Sequence, residues 1–242
     1  MDESLLQQYP EVERDHFWWV SRREFVRSLI RGAELGREPR VLDVGCGSGV
    51  LARELKTFGA TVAAIDVAAH AEWDSAVTDG VHFREGDYLE VSSELGSHDC
   101  VLALDVMEHI EDESGFVSAI ERNVRPGGLI ILTVPAYQWM WSRHDDINHH
   151  FRRYTRQTLV DALEGRGLRV VRCGYIFFGL IAPKLVAKVL EGFRSSDRVP
   201  VPPETINRAA TTYFLWELTL ARSRRDFLPA GTSVVAVCRR TL

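Results

Sequence analysis

A glycine-rich turn directly after an apolar run is the feature that most restricts how this chain folds. The run RVLDV (residues 40–44) is predicted to be a strand, and Gly45, Gly47 and Gly49 follow it at once. Glycines allow the backbone to turn tightly while a ligand lies against it. A helix is predicted next, over residues 48–58. A strand, a tight turn and a helix in this order are typical of sheets whose strands alternate with helices.

The alternation of strands and helices continues along the rest of the chain. Short runs rich in Val and Ile predict further strands at 61–65, 81–85, 99–104, 129–134, 169–178 and 232–238. Helices are predicted at 111–124 and 155–165. The apolar runs lack strict alternation with polar residues, which favours strands covered on both faces. We therefore predict an α/β fold: a Rossmann-like, doubly wound, mostly parallel seven-stranded sheet with an N-terminal helix and a helical insertion before the last strand.

Composition and charge narrow the class of protein. With 29 Lys and Arg against 34 Asp and Glu, the net charge is −5, whereas proteins that grip phosphate backbones usually carry the opposite sign. The sequence shows neither a signal peptide nor an apolar stretch of about 18 residues that could cross a membrane. The four cysteines lie far apart and form no C-x-x-C pair: Cys46, Cys100, Cys173 and Cys238. Neither a zinc site nor a redox motif is predicted, and we expect a cytoplasmic protein that binds no nucleic acid and has no transmembrane segment.

Acidic residues stand at the carboxyl ends of the predicted strands, the side on which open α/β sheets bind ligands. Asp43 precedes the glycines, where it would repel a phosphate and attract an ammonium, so we expect a nucleoside with a cationic amino-acid arm. Asp66 ends the second strand and can accept hydrogen bonds from both hydroxyls of a ribose; the alternative is a helix cap. After the third strand, Asp87 can accept from an adenine amino group while Tyr88 packs nearby. Asp105 follows the fourth strand.

Together these motifs resemble a known family. The segments VLDVGCGSG, AIDV, GDYLE, DCVLALDVMEHI and RPGGLIILTVPA occur in this order within residues 38–175. They look like the class I S-adenosylmethionine-dependent methyltransferases, specifically the small-molecule branch similar to ubiquinone-pathway O-methyltransferases. The resemblance implies S-adenosylmethionine as the cofactor and S-adenosylhomocysteine as its product. Because the fourth strand lacks the Asn-Pro-Pro-Tyr type of sequence seen in amino-group methylases, we expect an oxygen acceptor and not an exocyclic amine.

The resemblance also implies roles for individual residues. The loop 45–49 would hold the methionine arm of the cofactor, and Asp66 would hold its ribose. Asp87 and Tyr88 would hold the adenine, while residues 105–109 would line the pocket for methyl transfer. The predicted cofactor-binding residues are Trp19, Arg22, Asp43, Gly45, Cys46, Gly47, Ser48, Gly49, Asp66, Val67, Asp87, Tyr88, Asp105 and Val106.

An aromatic cluster marks the predicted N-terminal helix at residues 11–31. We interpret this helix as a gate, in which Trp19 closes the pocket and Arg22 pairs with the carboxylate of the cofactor. The alternative is core packing, since a pair of tryptophans is a large apolar surface.

The segment 142–155 holds three of the eight histidines and follows the fifth strand, so it would arch over the sulfonium of the cofactor. It resembles a Ser, Asp, His, Arg-Arg-Tyr pattern in a bacterial subgroup often linked to sugar or secondary-metabolite methylation, in which glycine is usual at the position of His149. We predict a substrate lid in which Asp145 orients His150 as a general base. The alternative is a polar loop whose arginines pair with its aspartates. The predicted catalytic residues are His109, His144, Asp145, His150, Arg153 and Tyr154.

We predict a single methyltransferase domain over residues 1–242. Its predicted parts are an N-terminal helical cap (1–36), a cofactor-binding core (38–178), a helical insertion (179–225) and the last strand (230–242). The first helix of the insertion carries apolar residues on one face and lysines on the other. We expect it to form a wall of the substrate pocket or a homodimer contact, and the alternative is contact with a membrane surface.

The predicted activity is transfer of a methyl group to a hydroxyl or carboxylate oxygen of a small molecule, sugar or peptide, without a metal. One alternative is a metal-assisted O-methyltransferase with a divalent ion at Asp105, Glu108 and His109, since a similar set of residues binds metal in some ubiquinone-pathway enzymes. A second is a non-catalytic partner subunit that only binds the cofactor. A third is an RNA methylase, which would use Arg152, Arg153, Arg156 and Arg222 to Arg225.

Overall fold

The computed structural model describes residues 10–69, 80–190 and 202–241. Its strands are β1 (Arg40–Val44), β2 (Thr61–Asp66), β3 (Val81–Glu85), β4 (His98–Leu104), β5 (Val124–Pro135), β6 (Leu168–Ile176) and β7 (Ser233–Arg240). They form one sheet in the order β3-β2-β1-β4-β5-β7-β6. Neighbours among β1 to β5 are parallel, and β7 runs antiparallel to both β5 and β6. The predicted seven-stranded, mostly parallel α/β fold is confirmed.

Helices cover both faces of this sheet. In the described residues they are α1 (Phe17–Arg31), α2 (Val50–Lys56), α3 (Tyr88–Val91), α4 (Glu113–Asn123), α5 (Arg143–Ile147), α6 (Arg156–Leu163), α7 (Ile181–Leu190) and α8 (Glu204–Ser223). Short 3₁₀ helices lie at Ser92–Glu94, Met107–His109, Gln138–Met140 and Phe178–Leu180. On one face, α1, α2 and α8 contribute Phe25, Leu55 and Phe214 to the core. On the other face, α4 and α6 contribute Phe116 and Leu159.

The strands are buried on both sides because of this double cover. In β1, Val41 packs into one core cluster, whereas Leu42 and Val44 pack into the other. This explains why the apolar runs of the sequence do not alternate with polar residues.

The order of the strands places a crevice at the carboxyl ends of β1 and β4. The chain moves outwards from β1 to β2 and β3 on one side, and from β4 to β5 on the other. Connections that leave in opposite directions open a crevice between the two central strands, which is where ligands bind in sheets of this type.

The predicted N-terminal helix is interrupted at His16. Residues 10–15 are helical, and the His16 side chain then accepts a hydrogen bond from the Trp18 N–H at 3.2 Å, which caps α1. Burial lowers the pKa of His16 to about 4. The ring therefore stays neutral and able to accept this bond.

The insertion consists of α7 and α8. The aromatic rings of Phe17 and Phe214 stack at 5.4 Å, which holds α8 against α1. On α7, by contrast, Val186 and Val189 are 59% and 76% exposed. Leu185 on the same predicted apolar face is 38% exposed, and the structure describes no side chain at 190 or 193. The homodimer and membrane contacts stay predictions, as does the division into cap, core, insertion and last strand.

None of the helices in the described ranges is long and apolar enough to span a bilayer. The predicted cytoplasmic location stays a prediction.

Candidate active site

The glycine-rich loop after β1 has the backbone conformation that only glycine adopts without strain. Gly45, Gly47 and Gly49 have φ angles of 69°, 54° and 79°, which lie in the left-handed region. A Cβ on Gly45 would collide with the side chain of Val106, so the loop lies directly against the end of β4. The N–H groups of Gly45 and Cys46 both donate to the carbonyl of Ile65, at 2.8 and 3.1 Å.

A small, partly open cavity lies at this loop. Of the predicted cofactor-binding residues it brings together Trp19, Arg22, Asp43, Gly45 and Cys46; its other lining residues are Glu13, Arg23, Val50, Leu51 and Leu104. The predicted gate helix therefore forms one wall of the cavity, opposite the strand ends.

Asp43 is the acid most withdrawn from water in this cavity. Burial raises its pKa, Arg22 opposes this shift, and the nearby Glu13 and Asp66 carboxylates add to it, which together gives a pKa of about 7. The carboxylate is therefore poised between its two protonation states near neutral pH. A cation entering the cavity would stabilise the charged form.

Asp66 ends β2 as predicted, beside the loop. Its Oδ2 atom accepts a hydrogen bond from the Gly47 N–H at 2.8 Å. One carboxylate thus fixes the loop and retains further lone pairs for a ligand. The neighbouring Val67 is exposed.

The two residues predicted for adenine recognition point in different directions. Asp87 caps α3 by accepting from the Leu89 N–H at 2.8 Å, and its side chain is exposed. The structure does not bring Tyr88 to the cavity, because its hydroxyl donates to Asn123 at 2.8 Å and its ring packs on Phe116 in the core. Successive side chains of a helix point to different faces. Because α3 begins at Tyr88, the Tyr88 ring turns towards the core while the Asp87 side chain stays at the surface.

Arg22, which lines the cavity, pairs with Asp105, the residue that follows β4. Its guanidinium also lies over the ring of Trp18, 4.5 Å from the ring centroid. Asp105 accepts a second hydrogen bond from the Thr133 hydroxyl at 3.2 Å. Pairing of Arg22 with a cofactor carboxylate stays a prediction, and the Nε atom of Arg22 has no hydrogen-bond partner in the described residues.

Glu13 contacts the glycine loop, and sequence reasoning missed this residue. Its Oε2 atom accepts from the Ser48 N–H at 3.1 Å and from the Ser48 hydroxyl. The two residues are 35 positions apart, and no motif or spacing connects them. Only the packing of the N-terminal segment on the sheet reveals the contact.

In the predicted lid, Asp145 is fully buried and binds two cationic or protonatable side chains. Arg153 donates to both of its oxygens, at 2.7 and 2.9 Å, and the His150 Nδ1 lies 2.8 Å from Oδ1. Burial opposes ionisation, but the hydrogen bonds from His150 and Arg153 outweigh it and hold the pKa of Asp145 well below its usual value. The predicted orientation of His150 by Asp145 is present in the structure.

The lid backbone explains the glycine that is usual at position 149. His149 has a φ of 55°, in the left-handed region, where a side chain is strained and glycine is not. The turn aligns the His150 N–H with the Asp145 carbonyl at 3.0 Å.

Tyr154 and His144 differ in their relation to His150. The Tyr154 hydroxyl donates to Glu113 at 2.8 Å and its ring lies in the core, so the structure does not bring it beside His150. The ring of His144 lies 6.4 Å from that of His150. Desolvation by its surroundings, together with the nearby Lys184, lowers the pKa of His144 to about 4.

His150 belongs to a cluster of three side chains that fits a divalent ion. One carboxylate oxygen of Glu108 and one ring nitrogen each of His109 and His150 lie within 4.8 Å of one another. Glu108 is 1% exposed and its Oε2 atom has no hydrogen-bond partner in the described residues. Burial, reinforced by Asp105, raises the pKa of Glu108 well above its usual value. A carboxylate oxygen without a hydrogen-bond partner, beside two imidazoles, matches the donor set of transition metals.

This cluster corrects the metal set considered from the sequence, in which Asp105 was the third residue. Asp105 is paired with Arg22, and His150 stands beside Glu108 and His109 instead. The Nδ1 of His109 donates to the Asn148 carbonyl at 2.9 Å, which leaves its Nε2 lone pair free for an ion or a substrate.

The fold and the site together define the class. A doubly wound sheet with a glycine loop after β1 and carboxylates at the ends of β1, β2 and β4 is the arrangement of class I methyltransferases. Residues 13–172 match a family described as a methyltransferase domain. The chain belongs to this methyltransferase-domain family, whose cofactor is S-adenosylmethionine, and the predicted family is confirmed.

Two curated relatives carry the name ubiquinone biosynthesis O-methyltransferase. The protein from Methylocella silvestris is 41% identical over 99 residues, which is 38% of this chain and 38% of the relative. The protein from Paracidovorax citrulli is 33% identical over 149 residues, or 55% of this chain and 62% of the relative. The matches thus span less than two thirds of these relatives. Their names refer to ubiquinone biosynthesis and give no support to a link with secondary metabolism.

A solved structure shares the fold over nearly the whole chain. The 1,6-didemethyltoxoflavin-N1-methyltransferase of Burkholderia thailandensis, with bound S-adenosylhomocysteine, superposes with a TM-score of 0.59 at 18% identity. The match covers 98% of this chain and 88% of that protein.

Proposed function

We propose that this protein transfers the methyl group of S-adenosylmethionine to an oxygen atom of a small molecule. Membership of the methyltransferase-domain family and relatives named O-methyltransferase support the reaction class. The observation that carries the proposal is the buried Asp145–His150 pair, joined at 2.8 Å, in the segment that follows β5. An imidazole oriented in this way is suited to accept the proton of a hydroxyl.

Residues around the glycine loop bind and orient the cofactor in this proposal. Asp43 attracts the ammonium of the amino-acid arm, and Asp66 accepts from the ribose hydroxyls. The structural neighbour with bound S-adenosylhomocysteine supports this choice of ligand. The cofactor supplies a methyl group on sulfur, an excellent leaving group, so the protein contributes mainly in-line placement and exclusion of water.

His150 then takes the proton of the acceptor hydroxyl. Asp145 accepts from Nδ1, which fixes the ring tautomer and leaves the Nε2 lone pair as the base. Arg153 keeps Asp145 charged, so the imidazolium that forms is stabilised by a neighbouring carboxylate. If the acceptor is a carboxylate, no base is needed and His150 serves to bind the substrate.

The substrate class within this proposal is a small molecule, a sugar or a peptide carboxylate. Three of the arginines that an RNA methylase would use are engaged within the protein. Arg152 pairs with Glu113 at 3.3 Å and Arg156 with Asp226 at 3.4 Å, while Arg153 binds Asp145. Internal pairing of these groups weakens the case for a phosphate-binding surface.

A metal-assisted O-methyltransferase is the second candidate. Glu108, His109 and His150 would hold a divalent ion, and the ion would supply a Lewis acid that binds the acceptor oxygen and lowers its pKa. The observation that favours this candidate is the buried carboxylate oxygen of Glu108, which has no hydrogen-bond partner in the described residues.

Single-turnover methyl transfer with His150 variants tests the proposal. The assay uses S-adenosylmethionine, a panel of small molecules bearing hydroxyl or carboxylate groups, and detection of S-adenosylhomocysteine. We expect His150→Ala to slow transfer to a hydroxyl by about 100-fold or more with nearly unchanged affinity for S-adenosylhomocysteine. With a carboxylate acceptor, the same variant would chiefly raise the KM of the substrate.

The matched control is His149→Gly, which removes the neighbouring imidazole at a position where glycine is less strained. It should remain active. Loss of wild-type activity in EDTA, restored by a divalent ion, would establish the metal-assisted candidate. A fully active His150→Ala enzyme would remove the lid from the catalytic account, and cofactor binding without any turnover would indicate a non-catalytic subunit.

A further inference from the structure

We propose that Glu13 is a built-in competitor of the cofactor: its carboxylate and the carboxylate of the cofactor's amino-acid arm exclude each other at Ser48. The inference rests on the proposed function, because it takes the cavity at the glycine loop as the binding site for that arm. It assigns a role in setting cofactor affinity to a residue outside every motif of the sequence.

The position of the Glu13 side chain carries the proposal. Its Oε2 atom accepts from both the N–H and the hydroxyl of Ser48, which are buried donors of the loop. A Cβ on Gly47 would collide with the same carboxylate. The face of the loop that glycine leaves open for a ligand is thus covered by an acidic side chain of the protein.

The chemistry of the donors identifies which part of the ligand competes. An N–H and an O–H group match an anion, and an ammonium offers them no acceptor. The amino-acid arm of S-adenosylmethionine carries one carboxylate and one ammonium. Because Glu13 has the charge and shape of that carboxylate, the two groups compete for the same hydrogen bonds.

The electrostatics of the cavity also disfavour Glu13 in this place. Glu13 and Asp66 both raise the pKa of the buried Asp43, so their negative charges disfavour the charged form of Asp43. An arm with no net charge relieves this repulsion when it replaces Glu13, because its ammonium lies beside Asp43.

The exchange requires only a side-chain movement, since the backbone around Glu13 is fixed. The guanidinium of Arg23 donates to the carbonyls of Glu13 and Arg14. Asn207 donates to the carbonyl of Asp15 at 2.7 Å. The segment can therefore stay docked on the gate helix while the Glu13 carboxylate leaves Ser48.

Titration calorimetry of the whole protein with two probes tests this inference. S-adenosylhomocysteine carries the amino-acid arm, and methylthioadenosine lacks it. Glu13→Gln replaces charge-assisted hydrogen bonds by weaker neutral ones, so we expect its Kd for S-adenosylhomocysteine to fall by about fivefold or more. Its Kd for methylthioadenosine should stay close to that of the wild type.

Glu11→Gln is the matched control, because it removes the same charge from an exposed position two residues away. Its Kd values should equal those of the wild type, and Glu13→Ala should follow Glu13→Gln. An unchanged Kd for S-adenosylhomocysteine in Glu13→Gln would overturn the inference alone, and a raised Kd would show that Glu13 holds the ammonium. Absence of binding by every variant, wild type included, would overturn the proposed function as well.

Discussion

Asp43 and Asp145 are both buried carboxylates, yet their surroundings shift their acidities in opposite directions. Asp145 receives hydrogen bonds from Arg153 and His150, which hold its pKa low despite burial. For Asp43, burial dominates and raises the pKa to about 7. Because their pKa values shift in opposite directions, the two carboxylates can have different roles. Asp145 stays charged to orient His150, whereas Asp43 gains its charge when a cation arrives.

The raised pKa of Asp43 predicts how cofactor affinity depends on pH. Below about pH 7 the carboxyl is mostly protonated and must release its proton to pair with an ammonium. Affinity for S-adenosylhomocysteine should therefore rise from about pH 6 to about pH 8 and then level off. Calorimetry in buffers of different ionisation enthalpy should detect proton release at the lower pH values only.

Asp43→Asn is the control for this pH dependence. It should bind more weakly at every pH, with a flat profile across the same range. A wild-type Kd that does not change with pH, or proton uptake on binding, would show that the carboxyl of Asp43 is not the group that meets the ammonium.

At the scale of elements, the contacts between α8 and the N-terminal segment are the least predictable part of the site. The Asn207 side chain on α8 accepts from the Phe17 N–H at 2.8 Å and donates to the Asp15 carbonyl at 2.7 Å. It thus joins the insertion to the start of α1, which carries Trp19 and Arg22. The predicted gate is held in place from the far end of the chain.

Removing this connection should loosen the N-terminal segment. We expect Asn207→Ala to lower the free energy of unfolding by about 1–2 kcal/mol, because it leaves two backbone groups without their partner. Cleavage by trypsin after Arg14 should become faster. Thr212→Ala, on an exposed position of the same helix, should change neither the urea midpoint nor the cleavage rate. Equal stability of the two variants would mean that Asn207 does not hold the segment.

Features that depend on neighbouring residues could be predicted from the sequence, because the residues that cause them lie close together in the chain. The Asp145–His150 pair was predictable, since the two residues are only five positions apart in one turn-rich segment. The break at His16 was not predicted, because a side-chain cap competes with helix propensity only in the folded geometry. The contacts Glu13–Ser48 and Arg22–Asp105 join distant segments, and only tertiary packing brings them together.

At the scale of the whole molecule, the sequence pattern predicted the sheet and the edge at which its strand-end acids lie. Apolar runs and strand-end acids are enough to place Asp43, Asp66 and Asp105 at the same crevice. They are not enough to tell which side chain beside an acid faces the ligand. Tyr88 illustrates the limit: it follows Asp87 directly, yet its ring packs in the core on the far side of the turn.

The central claim is that the crevice between β1 and β4 binds S-adenosylmethionine through the strand-end carboxylates. Calorimetric titration of S-adenosylhomocysteine into the wild type, Asp66→Ala and Asp87→Ala tests this claim most directly. We predict one binding site in the wild type and a loss of about 1.5–3 kcal/mol in Asp66→Ala, the cost of removing charged hydrogen bonds to the ribose. Asp87→Ala, at an exposed helix cap, should lose less. An Asp66→Ala protein that binds S-adenosylhomocysteine as tightly as the wild type would contradict the account.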